Sequence, residues 1–165
     1  MVYLCLIGEE DTELESYLEL NGYIENRPLT TDIESEYRAK YVDIQRYKLL
    51  EANEEVVICL KLIGDYLYSL LYPIGAQQYY TYCDGTIQEY IKRQFKNEVV
   101  TVLIEGDNRN YVNQLSEYSN DEYKELADVV ISKSDDIKNK ISKIGNYVGR
   151  INNENLSKMY DNNKK

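Results

Sequence analysis

Residues 1–20 read MVYLCLIGEEDTELESYLEL, and the fold turns on the seam inside them. Val2–Ile7 is an apolar run without a charge, the composition of a strand buried on both faces of a sheet. Gly8 ends it. Leu14, Tyr17 and Leu18 then recur at helical spacing, and Asn21-Gly22 stops the pattern. Thr12 is placed to cap this helix, with Glu15 completing a capping box. In many α/β proteins such a junction holds phosphate, because the first N–H groups of the helix and its dipole face the ligand. Here the junction carries Glu9, Glu10, Asp11, Glu13 and Glu15, and no lysine precedes Lys40.

The same alternation continues outward. Val56–Ile63, Gln78–Cys83, Val99–Ile104 and Ala127–Ile131 read as short apolar strands. Ile44–Ala52, Thr86–Phe95 and Asp121–Leu126 read as helices, and Asn110–Tyr118 as a short helical piece. Tyr66–Leu71 is ambiguous. Ser134 is placed to cap a last helix whose Ile137, Ile141, Ile144, Val148 and Ile151 share one face. Strands alternating with helices predict an α/β fold: a three-layer parallel sheet with helices on both faces. One domain over residues 1–151 accommodates all of it, with 152–165 as a polar, flexible tail. In such sheets ligands sit beyond the C-terminal strand ends. That places Gly8–Thr12, Asp84-Gly85 and the segment after Ile104 along one edge.

Composition removes several classes of function. The chain has 165 residues, no histidine and three cysteines, Cys5, Cys59 and Cys83, with no CxxC spacing. A zinc site and a disulfide framework are not expected, and the cysteines read as buried thiols. Serine–histidine and cysteine–histidine catalysis are excluded outright. The first apolar run is too short for a membrane span and has no basic flank, so it reads as a strand and a cytoplasmic location is expected. The net charge of −10 is regional: residues 1–36 hold ten carboxylates against Arg27 alone, and the remaining residues are close to neutral. Such a field repels nucleic acid and phosphate and attracts basic partners. Lys92-Arg93 and the tail lysines read as solvated faces.

The order of the pieces resembles guanylate kinase, a P-loop nucleoside monophosphate kinase, over roughly residues 2 to 150. Thr30-Thr31, Glu36 and Tyr41 stand where that family grips the guanine nucleotide. Gly64, Tyr66, Tyr68 and Ser69 match its gly–tyr–tyr turn. Asp84-Gly85 ends a strand before a helix, and VVTVLIEG and ADVVI close the pattern. The resemblance implies a vestigial nucleotide pocket built from Thr31, Glu36, Tyr41, Tyr66, Tyr68 and Asp84. It departs from the family where phosphate chemistry is done. The GxxxxGK[ST] loop, whose glycines turn N–H groups toward phosphate and whose lysine neutralises it, is replaced by Gly8-Glu9-Glu10-Asp11-Thr12. The arginine of the family's TTR segment is Asp32 here. Between Lys96 and Lys124 the only cation is Arg109, so the arginine-rich lid is missing too.

The expected function is therefore non-catalytic: a protein-binding module, with no catalytic residue, cofactor or metal, on a degenerate kinase scaffold. Its acidic surface would comprise Glu9, Glu10, Asp11, Glu13, Tyr17, Asp32, Glu34 and Glu36, with Tyr23 and Tyr37 as further exposed anchors. The expected partner is a basic surface of another protein, such as a nucleic-acid-binding host protein inhibited by a phage-encoded effector; direct nucleic-acid or membrane binding is not expected. The alternatives are a divergent nucleotide-binding enzyme or sensor and a structural or assembly subunit.

Overall fold

Strand β1 (Val2–Gly8) is buried along its whole length. Val2, Leu4 and Leu6 face one hydrophobic cluster, and Tyr3, Cys5 and Ile7 face another. Alternate residues of a strand point to opposite faces, so a strand covered on both sides has no polar position to show. The computed structural model describes residues 1–75, 78–107 and 111–162. Within these, β1 lies at the centre of a five-stranded parallel sheet. Its other strands are β2 (Ile24–Glu25), β7 (Gln78–Tyr82), β8 (Val99–Glu105) and β9 (Val129–Ser132), in the order β2-β7-β1-β8-β9. All four pairings are parallel.

Helices cover both faces, as the α/β reading requires. On one side Leu14 and Leu18 of α1 (Thr12–Leu20) and Ile144 of α5 (Ile137–Asn162) pack on Leu4, Leu6, Val100, Val102 and Ile104. On the other side lie Ile87 and Ile91 of α3 (Gly85–Phe95) and Tyr123 of α4 (Asn120–Leu126). A second sheet, absent from the sequence reading, joins this layer. It contains β4 (Lys40–Tyr41), β3 (Leu29–Thr30), β6 (Leu67–Leu71) and β5 (Val56–Lys61), in that order. Only β3 and β4 run parallel in it; the other pairings are antiparallel. Ile58, Tyr68 and Leu70 carry its inner face onto the main core, and α2 (Ile44–Ala52) buries Tyr47 and Leu50. The run VVICLKLI is thus a half-exposed edge strand rather than a strand of the parallel sheet.

Several local expectations are corrected. Asp11, not Thr12, caps α1, with its carboxylate accepting the Leu14 N–H at 3.1 Å. Asp136 replaces Ser134 at the start of α5, accepting the Asn139 N–H at 2.9 Å. Residues 111–119 hold a turn at 112–113 and no helix; Arg109 and Asn110 lie outside the described residues. Helix α5 runs on to Asn162, beyond the boundary expected at 151. Cys59 is exposed, whereas Cys5 and Cys83 are buried. The Tyr47 hydroxyl donates to the Cys59 sulfur at 2.8 Å; burial, then this contact, pushes the tyrosine up to about 12. Tyrosine takes the place of phenylalanine in the core: Tyr3, Tyr68, Tyr80, Tyr82 and Tyr123 are fully buried. No helix among the described residues is long and apolar enough to cross a membrane.

Candidate functional site

The C-terminal edge of the parallel sheet begins at Gly8. Its φ is +118°, and a Cβ there would lie 2.1 Å from the Ile104 carbonyl oxygen. Glycine alone lets β1 leave the sheet this close to β8. The chain then turns inward. Glu9 is 7% exposed and Asp11 3% exposed, so neither belongs to an acidic surface. The Glu9 N–H donates to the Ile104 carbonyl at 3.2 Å, and the Asp11 N–H to the Tyr82 hydroxyl at 3.0 Å. The Leu14 and Glu15 N–H groups are taken by the Asp11 carboxylate and carbonyl. Lys140 reaches in from α5 and donates to Asp11 Oδ2 at 2.7 Å and to the Lys133 carbonyl at 2.8 Å, with both side chains of the ion pair buried.

A second cation closes the neighbouring space. Arg38, from the segment between β3 and β4, sits 4.9 Å above the Tyr82 ring. Its Nη1 and Nη2 donate to the two Glu15 oxygens at 3.0 and 3.1 Å. Its Nε and Nη2 donate to the two Glu25 oxygens at 2.7 and 3.0 Å, and Nη1 also donates to Glu10. Burial works against the Arg38 charge, but hydrogen bonds and the field of Glu25, then Glu15, outweigh it and move its pKa further up. Tyr82 donates to Glu15 at 2.7 Å; burial, with this acceptor beside it, keeps the phenol neutral. Asn113 ties the far side, accepting the Arg38 N–H at 2.5 Å and donating to the Tyr82 carbonyl at 2.8 Å. Asp11, Tyr82, Glu15 and Arg38 thus form one connected network across the edge.

Two cavities flank it. One, of about 570 Å³, opens between residues 36–38 and 111–114 and is lined by Glu10, Glu36, Tyr37, Arg38, Tyr111 and Asn113 among others. The other, of about 490 Å³, lies beyond β8 and β9, where Glu9, Glu105 and Asp107 face Lys133. Among the described residues, no group of three or more cysteines and carboxylates is placed to hold a metal ion.

The expected nucleotide pocket does not assemble. Tyr68 is wholly buried in the core under Tyr37. Asp84 is 1% exposed and structural: Oδ1 caps α3 by accepting the Ile87 N–H, and Oδ2 accepts the N–H groups of Leu115 and Ser116 and the Ser116 hydroxyl. Thr31 Oγ1 accepts the Leu67 N–H. Tyr41 and Tyr66 are exposed and Glu36 alone reaches the larger cavity. Of the acidic set, Glu10, Glu13, Glu34 and Glu36 are exposed, Asp32 and Tyr17 half-buried. Tyr23 and Tyr37 are half-buried as well, packed against the two core clusters. Sequence reasoning missed Arg38, Lys140, Tyr82 and Asn113. Lys140 had a visible signal: it falls on the apolar stripe of α5, three residues after Ile137 and four before Ile144.

The architecture, a parallel sheet with helices on both faces and a small sheet packed on one of them, is nucleotide-kinase-like. The chain is similar in structure to the guanylate kinase from Anaplasma phagocytophilum, with a TM-score of 0.52 and 14% identity over 91% of this chain and 85% of that one. At that identity the likeness concerns the fold. Neither a protein-family model nor a curated protein sequence matches the chain.

Proposed function

We propose that this chain is a non-catalytic protein-binding module on a guanylate kinase-like scaffold whose phosphate-binding loop has been lost. The observation that carries the reading is the interior of the Gly8–Thr12 corner. Phosphoryl transfer depends on a cradle of free N–H groups and a cation aimed at phosphate oxygens. Here the N–H groups of Glu9, Asp11, Leu14 and Glu15 have internal acceptors, and Lys140 is locked on Asp11. Asp11 itself takes the role of the anion. The larger cavity has room for a nucleotide, but Arg38, the one cation among its described lining residues, is held by three carboxylates.

The surface left for a partner is the exposed part of the acidic quarter, Glu10, Glu13, Glu34 and Glu36, beside the cavity walled by Tyr37 and Tyr111. Its complement is a basic protein surface, and inhibition of a nucleic-acid-binding host protein by a phage effector is the specific form of this reading. A thermal-shift series with ATP, GTP, GMP and dTMP, with and without magnesium, tests the central claim. Ligand that binds only the folded state raises its stability by mass action. No nucleotide is expected to raise Tm at millimolar concentration. A shift with ATP would overturn the loss of the phosphate loop, and a shift with GMP alone would turn the cavity into a nucleotide sensor.

A further inference from the structure

At the opposite end of the parallel sheet, where the strands begin, the sign of the charge reverses. A cleft of about 330 Å³ lies between the end of α3, the start of β8 and α5, and Lys92, Lys96, Arg150 and Lys158 line it. Two carboxylates share the lining, Asp128 and Glu154. Asp128 is engaged internally, with Oδ2 accepting the Thr101 N–H at 2.8 Å and Oδ1 accepting the Tyr147 hydroxyl at 3.1 Å. The lysine ion pairs of the described residues involve Lys61, Lys124, Lys133, Lys140 and Lys143, and the arginine pairs Arg27, Arg38 and Arg93. None involves the four cations of the cleft. Glu154 stands one helical turn from both Arg150 and Lys158 without forming an ion pair with either among the described residues, so in a chain of net charge −10 four cations outnumber the two carboxylates of this concavity.

The backbone adds a second, independent observation. Lys96 ends α3 at φ 50° and ψ −118°. Glycine takes this conformation freely and an L side chain does so under strain. A lysine stands where glycine would fold better, and its side chain lines the cleft. Glu54, Asp65 and Asn113 also take positive φ, and of these four only Lys96 is in the lining of the cleft.

We propose that this cleft binds a small organic phosphate. Lys92, Lys96 and Arg150 would supply charge-assisted hydrogen bonds to the phosphate oxygens, while Tyr147 and Ile151 offer a wall to the organic part. The volume is at the lower end for small-molecule sites, about 300–1,000 Å³, which suits a phosphorylated metabolite and not a folded partner. The site is independent of the corner after β1, from which it is separated by the length of the sheet.

Inorganic pyrophosphate is the probe. It is expected to raise Tm by several degrees more than sodium chloride at matched ionic strength, and to move the amide resonances of Asn97, Tyr147 and Arg150. Lys96→Gly is expected to raise Tm of the free protein while weakening pyrophosphate about tenfold, the scale of one lost charge-assisted contact. Arg150→Gln is expected to weaken it similarly with Tm of the free protein unchanged. A Tm rise no larger than that given by matched sodium chloride overturns the site, as does unaltered affinity in the Lys96→Gly, Arg150→Gln double variant. Resonance shifts confined to Gly8–Thr12 would overturn it as well, and would take the proposed loss of the phosphate loop with it; the other two failures leave that reading standing.

Discussion

Lys140 has 2% of its side chain exposed and one carboxylate, Asp11, to answer its charge. Removing an ion from water costs several kcal/mol, and only an equally buried partner offsets it. Lys140→Met is expected to lose about 3–5 kcal/mol by stranding Asp11, read as a fall in the urea midpoint. Adding Asp11→Asn should restore most of that, since asparagine still caps α1 and no buried charge remains. A double variant as weak as the single one would refute the pairing argument. Glu25 gives the matching pH test. Burial pushes its carboxyl up, but hydrogen bonds from Arg38 and then Arg27 prevail and hold it below its usual range. A carboxyl lowered by folding stabilises the protein above its unfolded value, about 4.3, and that contribution disappears as pH falls through the folded value. Arg38→Gln should therefore flatten the acid limb of a Tm–pH curve below about pH 4.3, where wild type falls steeply; parallel curves would count against the network. At this scale the sequence was only half legible. The crowd of carboxylates after Gly8 was plain, but whether they face solvent depended on two cations, at 38 and 140, that come from elsewhere in the chain.

At the scale of elements, legibility follows period and length. Strands β1 and β8 are seven residues each and mostly apolar, with alternate side chains in two different cores, and α2 has the bounds its sequence predicts, Ile44–Ala52. The small sheet was not legible because two of its strands, β3 and β4, have two residues each, too few to show any alternation. Their pairing rests on partners far along the chain, as when Thr30 meets Tyr68. Asp84-Gly85 reads in the sequence as a strand end and helix start, and it is one, but Asp84 does more than cap. Its carboxylate holds α3 with one oxygen and residues 115–116 with the other. Asp84→Ala should cost the cap, about 0.5–2 kcal/mol, and in addition release the 111–119 segment. Limited proteolysis reads the second effect: cleavage near Tyr111 and Tyr118 should accelerate well before global unfolding does. An unchanged cleavage rate there would mean that the segment is held by its tyrosine stacking on Tyr123 instead.

Across the whole molecule, charge is sorted along the axis of the sheet. The edge where strands end carries the acidic quarter, neutralised within by Arg38 and Lys140 and left unneutralised outside at Glu13, Glu34 and Glu36. The edge where strands begin carries the cleft of Lys92, Lys96 and Arg150. The two kinds of electrostatic contribution, exposed repulsion and buried pairing, therefore respond to salt unequally. Ions screen exposed charges over a Debye length, which falls from about 30 Å at 0.01 M to about 10 Å at 0.1 M. Self-repulsion in a chain of net charge −10 acts over such distances and is relieved by that change, whereas the buried pairs are screened far less. Tm should consequently rise between those two salt concentrations. Glu13→Gln, Glu34→Gln and Glu36→Gln together should reproduce part of the rise at low salt and reduce the remaining salt response, because they remove repulsion without touching any buried contact. A Tm that falls with salt would show that exposed ion pairs outweigh repulsion, and the acidic edge would then no longer support the proposal of a basic partner.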